Sequence, residues 1–412
     1  MSPHSSSIKK LFGVAFLAFA LAALFYVGFL KNRGSPFEDC DGTFWYIAGR
    51  CWLEGVSPYD HAAFMEHWEG VFGKHEYGED IAFVYPATLS VIALPMALFD
   101  WDWARHGYRA VSFLAYCLVC VMLVSVLRDA PPGEQKREVP WGYLGMSALL
   151  YPVSITLHQG QSSLVVLWGM VAALYGCHRQ KTFWIVAGVV FACIKPQMSL
   201  PLLVYVCFRG GYRQVAGGIL VSALFAFGVV IPTLTPDFVA RCSESLAVHR
   251  SRWENGWFFY DSLPSLLGET AAGGIAALTG AGLACAAALW LARRAPEAPH
   301  APSAVSLRHF QVLCALTLAM MPLHRYDAVL YVPVVATLSL LRTTWQRFLL
   351  LALILIHGRV WFILARMYGY KASFAPSTVV VSILGGVILG LLLVFLYQDL
   401  RKPRGEAATE TR

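Results

Sequence analysis

Three carboxylates lie where the chain leaves its first long apolar run. Glu38, Asp39 and Asp41 precede the aromatic stretch Phe44–Leu53. A carboxylate beside apolar and aromatic surface can serve as a general base. Asp41 fits this role, and Asp39 fits it by position. Asp41 could also cap the helix that the aromatic stretch predicts, because an Asp before a helix accepts backbone N–H bonds. The two roles are compatible.

A lysine in the middle of an apolar segment is the second candidate. Lys195 lies inside Phe183–Phe208, where a charged side chain is costly unless it reaches the interface or faces a partner. The phosphate of a lipid is a natural partner for a buried ammonium group. The alternative is a lysine that extends to the membrane surface or pairs with a protein group and has a structural role.

A polar run near the end of the chain offers further cations. His324 could bind phosphate or transfer a proton, and Arg325 could hold a phosphate or a phospholipid headgroup. Asp327 could orient either of them. Each of the three could also be an interfacial cap.

The polar run His158–Ser163 follows an apolar one. Gly160 allows a tight turn, and Gln161 and Ser162 offer hydrogen bonds at the start of a helix, which favours anions. Each polar run is a weak signal alone. Together with Asp41 and Lys195, these runs supply a carboxylate, cations and neutral hydrogen-bond donors on one face of the protein.

The composition indicates a membrane protein. Of the 412 residues, 57% are hydrophobic and 14% are charged, against about 25% charged in soluble domains. The long apolar runs predict helices, because lipid offers no partner for backbone polar groups. The formal net charge of +7 does not indicate nucleic-acid binding, since the basic residues fall at helix ends. Most of the ten cysteines lie inside apolar runs and predict no metal site.

The charges that flank the apolar runs predict the topology. Leu11–Leu30 is longer than a signal-peptide core of about 7–15 residues, so we expect a retained first span. Basic residues before this run and after the last one place both termini in the cytoplasm. The same count places residues 31–80, 233–262 and 324–327 on the outer face.

Prolines interrupt two of the apolar segments. Phe183–Phe208 has basic residues at both ends and Lys195–Gln197 in its middle, which predicts two half-helices instead of one span. Ile81–Phe99 contains Pro86 and Pro95, so one of these interrupted segments is expected not to cross.

These features predict an all-α polytopic membrane protein of roughly ten to twelve transmembrane or re-entrant helices. We expect one domain over residues 1–400 and a cytoplasmic tail over 401–412. Trp141–Leu157 is expected to form a single span. In the long first outer loop, Phe44–Leu53 and Ala62–Phe72 are expected to form interfacial helices.

The order of several motifs resembles the polyprenol-phosphate-mannose-dependent mannosyltransferase family, which includes phosphatidylinositol-mannoside mannosyltransferase-like proteins within the glycosyltransferase-C superfamily. The loop signature of that family is matched by Asp41, Trp45, Tyr46, Ala48, Gly55, Pro58, Tyr59 and Asp60. Four further segments of the family are matched in the same order. Phe83–Pro95 matches its Tyr-Pro-Pro segment and His158–Leu167 its Gly-Gln segment. Ala187–Leu203 matches its Lys-Pro segment and Met321–Pro333 its His-containing segment. Ala87 replaces the second proline of the first of these segments.

The resemblance implies a glycosyltransferase-C-like bundle and a hexosyltransferase of the bacterial inner membrane with a periplasmic active site. It selects Asp41 over Asp39 as the general base. It implies Lys195, His324 and Arg325 as ligands of the donor phosphate. The residues implied for substrate binding are Tyr46, Tyr85, His158, Gln161 and Asp327.

The same resemblance implies a polyprenyl-phosphate sugar as donor and a glycolipid or glycan as acceptor. Because a single base suffices, we expect inversion at the anomeric carbon. We expect no metal and no cofactor, since the match does not use Asp39 as the first member of an Asp-x-Asp pair. The sugar and the acceptor stay open. A transporter or flippase of a lipid-linked saccharide is the alternative, although the sequence has no clear internal repeat of the kind that many transporters show.

Overall fold

The computed structural model describes most of the chain. The described residues are 3–31, 40–73, 82–129, 138–252, 270–294, 303–321, 323, 325–341, 343–368, 384, 386–395 and 398. For some helical residues, Arg325 among them, the description is of the backbone alone.

Every regular element in the described part is helical, which confirms the all-α polytopic class. The helices are α1 Pro3–Phe25, α2 Cys40–Leu53, α3 His61–Phe72, α4 Ser90–Ala97, α5 Trp101–Arg128, α6 Trp141–Ala148, α7 Tyr151–His158, α8 Ser163–Arg179, α9 Thr182–Ala192, α10 Pro196–Val206, α11 Tyr212–Val230, α12 Phe238–Arg252, α13 Thr270–Arg294, α14 Ser303–Met320, α15 Tyr331–Ala336, α16 Thr344–Tyr368 and α17 Gly386–Phe395. Short 3₁₀ turns precede α4 and α15, at Ala87–Leu89 and Arg325–Leu330.

Three helical stretches of the described residues are long and apolar enough to cross a bilayer. They are Ser7–Leu30, Trp101–Arg128 and Pro196–Thr233. Tyr151–His158 and Ser163–Arg179 would make a fourth span if the 120° bend between them is part of one crossing. The expectation of ten to twelve segments stays a prediction, since several apolar helices are shorter than a span.

The predicted chain breaks occur, and proline explains them. Phe183–Phe208 divides into α9 and α10, because a residue that precedes a proline is disfavoured in the helical conformation and Lys195 precedes Pro196. The expectation of one span over Trp141–Leu157 is wrong. Helix α6 ends at Ala148 and α7 begins at Tyr151, and Pro152 has no N–H with which to continue the helix.

The chain forms two compact units, each described by itself. One comprises residues 22–122 and 152–255, and we call it the loop unit because it contains the predicted first outer loop. The other comprises residues 1–21, 123–151 and 256–412, and we call it the terminal unit. The expectation of a single domain over residues 1–400 stays a prediction.

Glycines allow the helices of the loop unit to pack closely. A Cβ atom on Gly188 of α9 would lie 2.5 Å from the Gly169 carbonyl oxygen of α8, so α8 and α9 form a tight hairpin. Gly49 of α2 faces the Ala93 carbonyl of α4 so closely that no Cβ fits. Helix α2, which belongs to the predicted first outer loop, is thereby packed directly against α4.

Buried polar contacts hold the terminal unit together. The Tyr331 hydroxyl of α15 lies 2.7 Å from Nδ1 of His357 on α16, and both side chains are buried. The Arg308 guanidinium of α14 donates to the Leu340 carbonyl at 2.9 Å. These bonds fix α14 and α16 to the segment around α15.

Candidate active site

The start of α2 is held by the turn between α7 and α8. The backbone N–H groups of Asp41 and Gly42 both donate to the Gln159 carbonyl oxygen, at 3.1 and 3.2 Å. Gly160 makes this turn possible with φ of +66°, a conformation that other residues adopt at a cost. Helix α2 begins at Cys40, so Asp41 lies in its first turn and is not the residue before it.

Tyr85 connects the proposed base to the interior of the loop unit. Its hydroxyl donates to Asp41 Oδ1 at 3.2 Å. Burial raises the pKa of Tyr85 well above its usual value, and the Asp41 charge raises it further. The hydroxyl therefore keeps its proton at physiological pH and remains a hydrogen-bond donor to the carboxylate.

Lys195 is bound to neutral side chains of the turn and of α8. Its ammonium donates to Gln161 Oε1 at 3.0 Å and to Ser163 Oγ at 3.0 Å, and it is 2% exposed. The structure therefore gives the buried lysine two polar protein contacts.

Two buried aromatic residues support this arrangement. The Trp45 ring of α2 makes edge contacts with the rings of Tyr85 and Tyr108, at centroid distances of 5.9 and 5.0 Å. The Tyr108 hydroxyl of α5 donates to the Gln161 backbone carbonyl at 3.0 Å. The aromatic cluster thus fixes both the turn and the tyrosine that contacts Asp41.

A further bond connects the segment after Tyr85 to the break before α10. The Thr88 hydroxyl donates to the Cys193 carbonyl at 2.7 Å. Lys195 is two residues beyond Cys193, and it is the residue directly before α10. Three irregular segments, 85–88, 159–162 and 193–195, are therefore joined around the start of α2.

Several buried polar atoms in the described part of this site make no hydrogen bond of standard geometry. They are Trp45 Nε1, Gln161 Nε2, Gln159 Oε1 and Ser162 Oγ. The Trp45 and Gln161 N–H groups face the Tyr85 oxygen without closing such a bond. A buried polar group without a partner is costly, so a bound water molecule or a polar ligand would satisfy these atoms.

Four of the predicted site residues thus form one connected group, the polar cluster of Asp41, Tyr85, Gln161 and Lys195. Two other predicted residues of the loop unit have different surroundings. Tyr46 is buried, and its hydroxyl donates to the Phe99 carbonyl at 3.0 Å, which is a packing role. His158 is the last residue of α7 and is half-buried.

The remaining predicted residues belong to the terminal unit. Asp327 is fully buried in the 3₁₀ turn Arg325–Leu330. Only the backbone of Arg325 is described, and His324 lies outside the described residues. Their predicted roles stay predictions, as does that of Asp39, which also lies outside the described residues.

A metal site is not apparent in the described part of the chain. No group of three or more His, Cys, Asp or Glu side chains is placed there to hold a metal ion. Lys195 is the cationic side chain of the polar cluster.

Residues 83–323 match glycosyltransferase family 87, which is more than half of the chain. The chain belongs to glycosyltransferase family 87. It is a membrane glycosyltransferase, and the bilayer, a sugar donor and an acceptor are its general partners. No curated protein matches the chain.

The family 87 match includes part of the polar cluster. Tyr85, Gln161 and Lys195 lie within the matched residues, whereas Asp41 precedes them. The mannosyltransferase resemblance is therefore supported at the level of a membrane glycosyltransferase and not at the level of its sugar.

Sequence reasoning missed two members of the site. Ser163 accepts from Lys195, and the Gln159 carbonyl holds the start of α2. Ser163 closes a run that sequence reasoning had already singled out for its Gln and Ser residues. Gln159 acts through its backbone carbonyl, which every residue has, so its residue type does not indicate this role.

Proposed function

We propose that this family 87 protein transfers a hexose from a polyprenyl-phosphate sugar to a glycolipid or glycan acceptor on the periplasmic face of a bacterial inner membrane. The hexose is mannose-like. The observation that carries the proposal is a pair of neighbouring hydrogen bonds, one from Tyr85 to the Asp41 carboxylate and one from the buried Lys195 ammonium to Gln161.

The reaction needs one base. The Asp41 carboxylate takes the proton of an acceptor hydroxyl, and that oxygen attacks the anomeric carbon of the donor. The bond between the anomeric carbon and the phosphate oxygen breaks, and its electron pair leaves with polyprenyl phosphate. The product is a glycoside with inverted configuration at the anomeric carbon.

The leaving phosphate needs positive charge more than a proton. The buried Lys195 ammonium supplies charge in a region of low dielectric, where it acts more strongly than in water. The start of α10, directly after Lys195, adds the partial positive charge of a helix N-terminus. The phosphate-binding roles that the sequence assigns to His324 and Arg325 stay predictions.

The remaining residues orient the reactants. Gln161 accepts from Lys195 through its carbonyl oxygen, and its amide nitrogen faces the Tyr85 oxygen. The amide of Gln161 and the indole of Trp45 are suited to hydroxyl groups of a sugar. Tyr85 holds the carboxylate of Asp41 in place.

Transfer from a defined donor tests the proposal. Purified protein in lipid nanodiscs is incubated with polyprenyl-phosphate hexoses and a panel of glycolipid acceptors, and release of polyprenyl phosphate is measured. We expect release that depends on the acceptor. Transfer from nucleotide sugars alone, or movement of the lipid-linked sugar between leaflets without transfer, would contradict the proposal.

A further inference from the structure

Tyr85, which donates to the proposed base, lies in a segment that belongs to no helix. Residues 82–86 precede the 3₁₀ turn Ala87–Leu89. Backbone groups outside regular structure take their partners from side chains and turns, so contacts from other elements fix such a residue in place. The Trp45 ring of α2 supplies one contact to the Tyr85 side chain. A second contact holds the Tyr85 backbone.

Tyr59 supplies this backbone contact. Its hydroxyl donates to the Tyr85 carbonyl at 2.7 Å. Burial raises the pKa of Tyr59 well above its usual value, so the hydroxyl keeps its proton and remains a donor. The Tyr59 ring makes edge contacts with Phe83 and Phe238, at centroid distances of 5.2 and 5.6 Å. Tyr59 therefore connects the predicted first outer loop to Tyr85 and to the start of α12.

Helix α12 is bound to Tyr59 and to the residue that follows it. The Ser245 hydroxyl donates to the Tyr59 carbonyl at 3.0 Å. One oxygen of the Asp60 carboxylate caps α3 by accepting from two backbone N–H groups, and the other oxygen pairs with Arg241 of α12. A second nitrogen of Arg241 donates to Asp237 at 2.7 Å. Arg241 thus joins the two predicted outer loops, residues 31–80 and 233–262.

We infer that Arg241 and Tyr59 are positioning residues, which together set the place of Tyr85 and, through its hydroxyl, the orientation of the Asp41 carboxylate. The inference rests on the proposed function. The bonds form one series, from Arg241 to Asp60, from the adjacent Tyr59 to Tyr85, and from Tyr85 to Asp41. The second predicted outer loop acts on the base through the first one.

The series ends on a group whose place affects both the rate and its pH dependence. A misplacement of about 1 Å at reacting groups can cost about a hundredfold in rate. A displaced Tyr85 hydroxyl also stabilises the Asp41 carboxylate less, so the base is protonated at higher pH. The acidic limb of the kcat/KM profile should then move up. A role in loop packing alone would lower the unfolding temperature and leave this limb in place.

Two substitutions break the series at single bonds and leave the α3 cap in place. Tyr59→Phe removes the hydroxyl that holds Tyr85, and Arg241→Met removes the partner of Asp60. Asp237→Asn is the matched control, because it removes the other carboxylate partner of Arg241, which precedes α12 itself. The kcat/KM for release of polyprenyl phosphate is measured over the acidic and neutral range.

We expect Tyr59→Phe and Arg241→Met each to move the acidic limb up by about half a pH unit, which is about a threefold loss on that limb, with the donor KM within about twofold of wild type. Arg241→Lys should recover part of the loss, because it keeps the charge without the planar fork. Asp237→Asn should keep the wild-type limb. If the limb lies at the wild-type pH in both Tyr59→Phe and Arg241→Met, the inference is wrong.

A double variant tests the route through Tyr85. Tyr85→Phe lacks the hydroxyl through which the series acts, so Tyr59→Phe in that background should move the acidic limb no further than Tyr85→Phe alone. A further shift of about half a pH unit would show that Tyr59 acts on the base by another route and would overturn the inference.

Thiol alkylation tests the ion pair without turnover. The half-buried Cys242 thiol follows Arg241 and lies near Tyr59. Loss of the neighbouring cation would by itself slow alkylation of Cys242, so a faster reaction in Arg241→Met reports exposure of the thiol. We expect this faster reaction, and we expect an unchanged rate at Cys207, which lies beyond the end of α10. An unchanged rate at Cys242 would overturn the role of Arg241.

Failure of the inference and failure of the proposed function have different signs. If wild-type protein releases no polyprenyl phosphate from any donor, the proposed function has failed, and the alkylation rate of Cys242 still decides whether Arg241 fixes α12 to the first predicted loop. Normal transfer with unchanged alkylation would refute the inference alone.

Discussion

Removing the Tyr85 hydroxyl should change the pH dependence of catalysis. In Tyr85→Phe the Asp41 carboxylate loses a donor at 3.2 Å. A hydrogen bond to a charged group contributes about 1.5–3 kcal/mol, and about 1.4 kcal/mol corresponds to one pH unit. Because 3.2 Å exceeds the ~2.5–2.7 Å of short charge-assisted bonds, the lower end applies. The acidic limb of kcat/KM should move up by about one pH unit, since the base is then protonated more readily.

The assay is release of polyprenyl phosphate over the acidic and neutral range, with acceptor held below its KM. Tyr108→Phe is the matched control, because it also removes a buried tyrosine hydroxyl, one that donates to a backbone carbonyl. Whatever its total activity, the acidic limb of its kcat/KM profile should stay at the pH at which wild type has it. If the acidic limb of the kcat/KM profile lies at the wild-type pH in both variants, Tyr85 does not act on the base and the reasoning is refuted.

Four further predictions concern the surroundings of the cluster. Lys195→Met removes a charge and leaves the Gln161 and Ser163 side-chain oxygens without this donor, so kcat/KM should fall by about a hundredfold or more. Lys195→Arg should recover part of the lost activity. Unchanged turnover in Lys195→Met would exclude the phosphate role. Gly160→Ala places a side chain at φ of +66°, and thermal unfolding in detergent should show a loss of about 1 kcal/mol or more. Gly49→Val should lower the unfolding temperature strongly because its Cβ meets the Ala93 carbonyl, whereas Gly70→Ala in open space should not lower it. Burial raises the pKa of Cys51 to about 12, so this thiol should resist maleimide at neutral pH in the folded protein and react after denaturation.

Much of the cluster could be predicted because its residue types are unusual in their setting. A lysine in an apolar segment is costly, and a glutamine beside a glycine between two apolar helices has few structural reasons to be there. The structure pairs the lysine with the glutamine and Tyr85 with Asp41. The helices of the predicted first outer loop could be predicted too, because clear turn residues lie between Cys40–Leu53 and His61–Phe72.

Other features depended on information that residue types do not hold. The Gln159 contact is made by a backbone carbonyl, and Ser163 could equally have been an ordinary helix-starting residue. The break between Ala148 and Tyr151 was missed because apolar composition alone suggested a continuous span, and the effect of Pro152 was underestimated. The packing role of Tyr46 became visible only when Phe99 was placed beside it.

The identity of Asp41 as the base is the central claim. The most direct measurement is the single-turnover rate of polyprenyl phosphate release by Asp41→Asn, compared with Asp102→Asn, whose carboxylate is exposed and pairs with Arg105. We expect Asp41→Asn to be slower than wild type by about 10²–10⁴-fold while it still binds the donor, and Asp102→Asn to match wild type. Release by Asp41→Asn within a few-fold of the wild-type rate would contradict the account.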